Sequence, residues 1–133
     1  MRIIPDLLEL NDVLNRFWDF RWTQLQTFSE LVSDIKLLLD VAHLKVSAAT
    51  LNFDPLIAIG KWKPFIEAVH LSDNDGMTDS NKPFTNGSWF WPFLKDLDCS
   101  YTSIEVNNQT ISGLKEQIQC LKANFANYKK GRF

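Results

Sequence analysis

An aspartate, a histidine and a glutamate each stand at or near the end of a short apolar run: Asp40 closes Ile35-Lys36-Leu37-Leu38-Leu39, His70 follows Ala68-Val69, and Glu105 follows Tyr101-Thr102-Ser103-Ile104. Their separations are 30 and 35 residues. Carboxylate oxygens and imidazole nitrogens are donors suited to a divalent cation. Singly, each has an ordinary use. Asp40 can cap a loop and His70 can be a hydrogen-bonded core histidine. Glu105 in an apolar strand is harder to place, because a buried carboxylate needs a partner. Three such donors at one repeat length point to a shared metal site of Asp40, His70 and Glu105.

The elements that must position them are strands. The runs at 35–40, 68–73 and 101–106 read as strands, and the first two, nearly continuous in apolar residues, resemble buried parallel ones. Helix-length segments separate them. Asp54-Pro55 is a start signal, an acidic cap with proline at the first helical position. Ser88 is expected to cap a short helix through Trp89, Phe90, Phe93 and Leu94. Ser112 is expected to open a helix with Leu114, Ile118, Leu121 and Phe125 along one apolar stripe. Alternating strands and helices imply an α/β parallel sheet. Their spacing matches the roughly 31 residues per unit of a (β/α)8 barrel, where ligand groups gather at strand C-termini. Residues 1–34 read instead as helical, with Leu7, Leu8, Leu10, Val13, Leu14, Phe17 and Trp18 in rhythm and no strand expected among them. The polar stretch from Ser72 to Ser88, rich in turn residues, directly follows a strand, where function tends to sit.

Composition narrows the classes. The chain has 133 residues, 45% hydrophobic and 23% charged, with 14 basic and 16 acidic side chains. That balance fits one globular domain and argues against a dedicated nucleic-acid binder. No apolar run approaches the roughly 18 residues of a membrane span, so no membrane partner is expected. The opening Met1-Arg2-Ile3-Ile4-Pro5-Asp6 lacks a signal-peptide layout. Cys99 and Cys120 are too few for a disulfide scaffold and lack metal-ligand spacing, which reads as two reduced thiols in a cytoplasmic protein. Lys129, Lys130 and Arg132 read as a solvated tail over 129–133.

Asp40-Val41-Ala42-His43, then Val69-His70-Leu71-Ser72-Asp73-Asn74-Asp75-Gly76, then Ile104-Glu105-Val106 resemble the last three strands of the xylose isomerase-like TIM barrel superfamily. That group holds sugar isomerases, ketose 3-epimerases and endonuclease IV-type enzymes. The resemblance covers residues 35–128 and implies a partial (β/α)8 barrel of about three C-terminal β/α units. It implies that Asp40, His70 and Glu105 bind Mn, Mg, Co or Zn, that Glu105 also acts as acid/base, and that His43 contacts substrate or a second metal. Asp79-Ser80-Asn81 stands where the nuclease branch has an Asp-x-His, so Asp79 and Asn81 are additional metal or substrate contacts. Asparagine in place of histidine argues against a trinuclear zinc site. The glycine-rich turn common before the last helix is degraded here to Phe84-Thr85-Asn86-Gly87-Ser88. The family takes a fourth metal ligand, a carboxylate, from its fifth strand, for which Glu9 is the stand-in that residues 1–34 offer.

The function so implied is a metal-dependent sugar or sugar-phosphate isomerase or epimerase. A proton would move next to a carbonyl through a metal-stabilised enediolate, with Glu105 as the base and His43 on a substrate oxygen. Trp89, Phe90 and Trp91 either wall the sugar pocket or pack a helix on the sheet. The alternatives are an endonuclease IV-like phosphodiesterase, for which Lys45, Lys61, Lys63 and Lys82 are too scattered among acids, and a non-catalytic barrel fragment. A partial barrel exposes two sheet edges. It therefore implies an oligomer, or a partner chain that completes it, and a chain that is truncated and inactive alone.

Overall fold

The structure is a computed structural model that describes residues 7–9, 36–107 and 109–125. The helical rhythm expected over 10–34 and the basic tail at 129–133 lie outside the described residues. Four strands, β1 (Leu7–Glu9), β2 (Lys36–Asp40), β3 (Ile66–Leu71) and β4 (Tyr101–Ile104), form one sheet in the order β1-β2-β3-β4. Every neighbouring pair is parallel. Between and after them come α1 (Val41–Leu51), α2 (Pro55–Trp62), a 3₁₀ turn (Lys63–Phe65), α3 (Trp91–Leu94) and α4 (Ile111–Asn124).

This corrects the expected partial (β/α)8 barrel. The sheet is open, with β1 and β4 as its edges among the described residues. Parallel strands about 31 residues apart are common to barrels and open sheets. What separates them is closure, which needs a full ring of tilted, staggered strands. A second correction concerns residues 7–9, expected in a helix but paired with 36–38 as β1. Three residues are too short a run for strand periodicity to be seen in a sequence.

The strands alternate in what they present. Leu37 and Leu39 of β2 and Val69 and Leu71 of β3 are fully buried. They meet Val41 and Leu44 of α1, Ile59 of α2, and the aromatic group Phe84, Phe90 and Trp91. Asp54 caps α2 as its spelling predicts, accepting from Leu56 N at 2.8 Å. Asn52 ends α1 in the left-handed region, φ 53°, which asparagine tolerates better than most residues.

Three local expectations are revised. Ser88 does not cap α3, whose cap position is Phe90; its hydroxyl donates to Asp73 Oδ2 at 2.8 Å and accepts from Thr85 N. The cap of α4 is Thr110, which accepts from Gly113 N at 3.0 Å, so Ser112 is already inside the helix. The stripe of α4 is turned partly outward. Leu114 and Ile118 are exposed, while Gln117 is buried. Its amide pairs with both the N–H and the C=O of Phe84, at 2.9 and 3.2 Å, so two backbone groups that burial would otherwise leave unsatisfied have a partner.

Candidate metal corner at the strand ends

Register sets the site. Asp40 lies opposite His70, and His70 opposite Ser103. Glu105, two residues beyond Ser103, continues the ladder through its N–H to Leu71 O at 2.9 Å. Side chains two apart on a strand share a face, so all three donors project from the same face of the sheet, at its C-terminal end. It is the face opposite the one that buries Leu37, Leu39, Val69 and Leu71. Among the described residues the strand order does not reverse, so the three donors gather along the C-terminal ends of neighbouring strands rather than at a switch point of the kind open α/β sheets use for ligands.

Asp40 is fully buried and serves two elements. Its Oδ1 caps α1, accepting from Ala42 N at 3.0 Å and His43 N at 2.9 Å. That bond fixes the carboxylate plane and directs Oδ2 toward the two histidines, 3.5 Å from His43 Nδ1 and 3.9 Å from His70 Nδ1. His70 Nδ1 is 2.9 Å from Glu105 Oε1. One ligand atom from each of Asp40, His70 and Glu105 lies within 4.8 Å of the others. Ligand atoms sharing a cation at bonds of about 2.1 Å sit about 3.0–3.5 Å apart, so a small contraction suffices. Two carboxylates and one imidazole form a set that suits Mn, Mg, Co or Zn. The donor chemistry and the spacing both fit a divalent ion.

His43, one turn into α1, stands beside this trio. Its Nε2 is 2.6 Å from Asp79 Oδ2. Asp79 reaches it from the loop after β3, which is tied down at several points. Asp73 and Lys82 exchange both backbone bonds, at 2.8 and 2.7 Å. Lys45 Nζ donates to Asp73 Oδ1 at 2.8 Å and to the carbonyl of Asn74. Asn74 Nδ2 donates to Ala42 O at 2.8 Å, and its Oδ1 accepts from Gly76 N. Gly76 has φ +81°, which glycine adopts without strain.

The residues expected at the site thus separate. Asp40, His70 and Glu105 converge, and His43 and Asp79 pair next to them. Asn81, at φ 43°, accepts from Ser72 Oγ through Oδ1 at 3.1 Å, and its carbonyl accepts from Asn107 N at 2.9 Å. Trp91 and Phe90 are buried against Phe84, with centroids 4.7–6.1 Å apart, so these rings form core. Trp91 Nε1 donates to Thr85 O at 2.6 Å. Lys45 and Asp73, which fasten the Asp79 loop, are not among the expected site residues; Asp73 lies in the Val69–Gly76 motif, whereas nothing in the sequence pairs Lys45 with it. Both cysteines are free thiols, and burial raises each above the ordinary thiol range.

Comparison of the chain with protein-family models, curated proteins and solved structures gives no match. Among the described residues no helix is long and apolar enough to cross a membrane.

Proposed function

We propose that this chain is a divalent-metal-dependent isomerase or epimerase that moves a proton next to the carbonyl of a hydroxy-carbonyl sugar. The observation that carries the reading is the convergence of Asp40, His70 and Glu105, from three successive strand ends, within 4.8 Å. These three would hold the ion, with Mn, Mg, Co and Zn as candidates. Bound there, it supplies electrophilic polarisation of the carbonyl.

The chain's own groups do the rest. Glu105 is the most open of the three, its side chain 41% accessible against 1% for Asp40, so it is the carboxylate a substrate can reach. It is the group that takes up and returns the proton. Asp40, buried and held by the two N–H groups it caps, is fixed in place. His43 hydrogen-bonds a substrate oxygen. A phosphodiesterase would need cations free to meet phosphates, whereas Lys45, on the helix that carries His43, is engaged with Asp73 and Asn74.

The test has two stages. Mn²⁺ titrated into the full chain by calorimetry should bind once per chain, and Asp40→Asn, His70→Gln and Glu105→Gln should each weaken binding at least tenfold. Loaded protein incubated with aldoses and ketoses in D₂O should then exchange the hydrogen next to the carbonyl, read by proton NMR. Mn²⁺ affinity equal in all four proteins refutes the site; tight binding without exchange on any sugar refutes the reaction.

A further inference from the structure

The loop after β3 carries the chain's one Asn-Gly pair, Asn86-Gly87, and both residues are exposed. Asparagine is a thermolabile residue: its side-chain amide lies within reach of the next backbone nitrogen, and a glycine there leaves that nitrogen conformationally free. The fold adds a second feature. Asn86 Oδ1 accepts from Asn124 Nδ2 at 2.8 Å and from the Cys120 thiol at 3.2 Å. A third group fixes which atom is which. Cys120 O, 2.9 Å from the Asn124 amide, can only accept, so the atom facing it is Nδ2, and the other proton of that nitrogen requires an oxygen on Asn86. The amide nitrogen of Asn86 has no partner among the described residues. Asn86 lines an open groove between this loop and α4, with Thr85, Glu116, Gln119 and Ala123, so water reaches it.

We propose that Asn86 is a self-modifying site, at which the Gly87 nitrogen displaces the side-chain amide while α4 supplies the donors that hold the developing oxyanion. Gly87 N gives its proton to water and bonds to Asn86 Cγ. The carbonyl electron pair moves to Oδ1, at which the Asn124 N–H and the Cys120 S–H already point, so charge develops where donors stand ready. Collapse breaks the Cγ–Nδ2 bond, and the nitrogen leaves as ammonia with a proton from water. Water then opens the succinimide at either carbonyl, leaving an aspartyl or an isoaspartyl residue at position 86. One water enters, one ammonia leaves, and nothing is oxidised. The opposing restraint is a single long bond, from Gly87 N–H to Thr85 Oγ1 at 3.2 Å. The isoaspartyl product lengthens the backbone by one atom between Phe84, clasped by Gln117, and Ser88, bonded to Asp73. The loop that carries Asp79 therefore slackens as the chain ages. None of this depends on a cation at the strand ends.

The test follows the full chain by mass spectrometry during incubation at pH 8, in native buffer and in denaturing urea, with peptide mapping to separate aspartyl from isoaspartyl products. The peptide holding Asn86 should gain one mass unit, and faster in native buffer than in urea. Gly87→Ala should slow the gain at least tenfold in both, since its methyl restricts the approach of the nitrogen. A Cβ there meets only Thr85 Oγ1, at 3.8 Å, so the variant folds. Asn124→Ala, which removes the nearer donor, should slow the gain severalfold in native buffer and leave the rate in urea unchanged. No gain at Asn86, a native rate below that in urea, or an Asn124→Ala rate equal to or above the wild-type rate in native buffer overturns the proposal.

Discussion

Asp40 shows how one side chain can serve fold and site through different atoms. Oδ1 is committed to α1, and Oδ2 turns to the histidines. Asparagine is as good an N-cap as aspartate, whereas alanine is not. Asp40→Asn should therefore hold stability while losing cation affinity, and Asp40→Ala should lose both, at about 1 kcal/mol of unfolding free energy for the missing cap. Urea unfolding beside Mn²⁺ calorimetry separates the effects; equal destabilisation by both variants would show that Oδ1 is not the cap. Asp40, His70 and Glu105 were legible because each follows an apolar run, and a strand end is a defined place. Pairing of His43 with Asp79 was not, because contact across 36 residues depends on how a loop folds back. The Asp-x-x-His spacing puts His43 near Asp40 and says nothing of what meets its far nitrogen.

At the scale of elements, the loop after β3 and helix α4 are built from side chain to backbone bonds that a hydrophobic pattern does not encode. Gln117 is the clearest case. The stripe Leu114, Ile118, Leu121 and Phe125 suggests which face of α4 turns inward, yet the buried residue of that helix is Gln117. Its amide satisfies both backbone groups of Phe84, and that requirement competes with burying Leu114 and Ile118. Gln117→Ala should destabilise by about 2 kcal/mol, since buried N–H and C=O groups lose their partner; Gln117→Glu, which keeps only an acceptor, should also destabilise. A thermal melt unchanged in both would mean that water replaces the amide. The Asp75 turn makes a pH prediction. The N–H of Thr78, then that of Met77, bonds its carboxylate and holds the carboxyl below its ordinary 3.8. A carboxyl depressed in the folded chain steadies its turn above that value, and the contribution is lost as pH falls through the folded one. The amide shifts of Met77 and Thr78, followed downward from neutral pH, should move with a midpoint below 3.8; a midpoint at or above 3.8 would show that the carboxylate does not accept those bonds.

Among the described residues the two faces of the sheet are filled differently, and stability should be correspondingly uneven. The parallel order was readable from apolar runs and spacing, whereas β3 and β4 end at Leu71 and Ile104, two residues before the expected 73 and 106. Whether the sheet closes was not readable, because a sequence repeat near 31 residues fixes the unit and leaves the number of units around an axis undetermined. In an open sheet the face bearing Leu37, Leu39, Val69 and Leu71 carries the packed core. The opposite face, bearing Asp40, His70 and Ser103, opens toward the β4 edge, where Tyr101 is 69% exposed. The largest fully buried side chains among the described residues are Phe84 and Phe90, which join the loop after β3 to the core. Phe84→Ala should therefore unfold the chain by about 3–5 kcal/mol through the cavity it leaves. It should also release Gln117 and loosen the loop that holds Asp79. Ile111, 79% exposed at the start of α4, should behave oppositely. Ile111→Glu should change stability by no more than about 0.5 kcal/mol, in the favourable direction, since an acid in the first turn complements the helix dipole. Urea midpoints of the two variants test the division between packed and open surface. An Ile111→Glu loss comparable to that of Phe84→Ala would mean that α4 buries its apolar stripe in solution, and that the helix is rotated from the orientation Gln117 gives it.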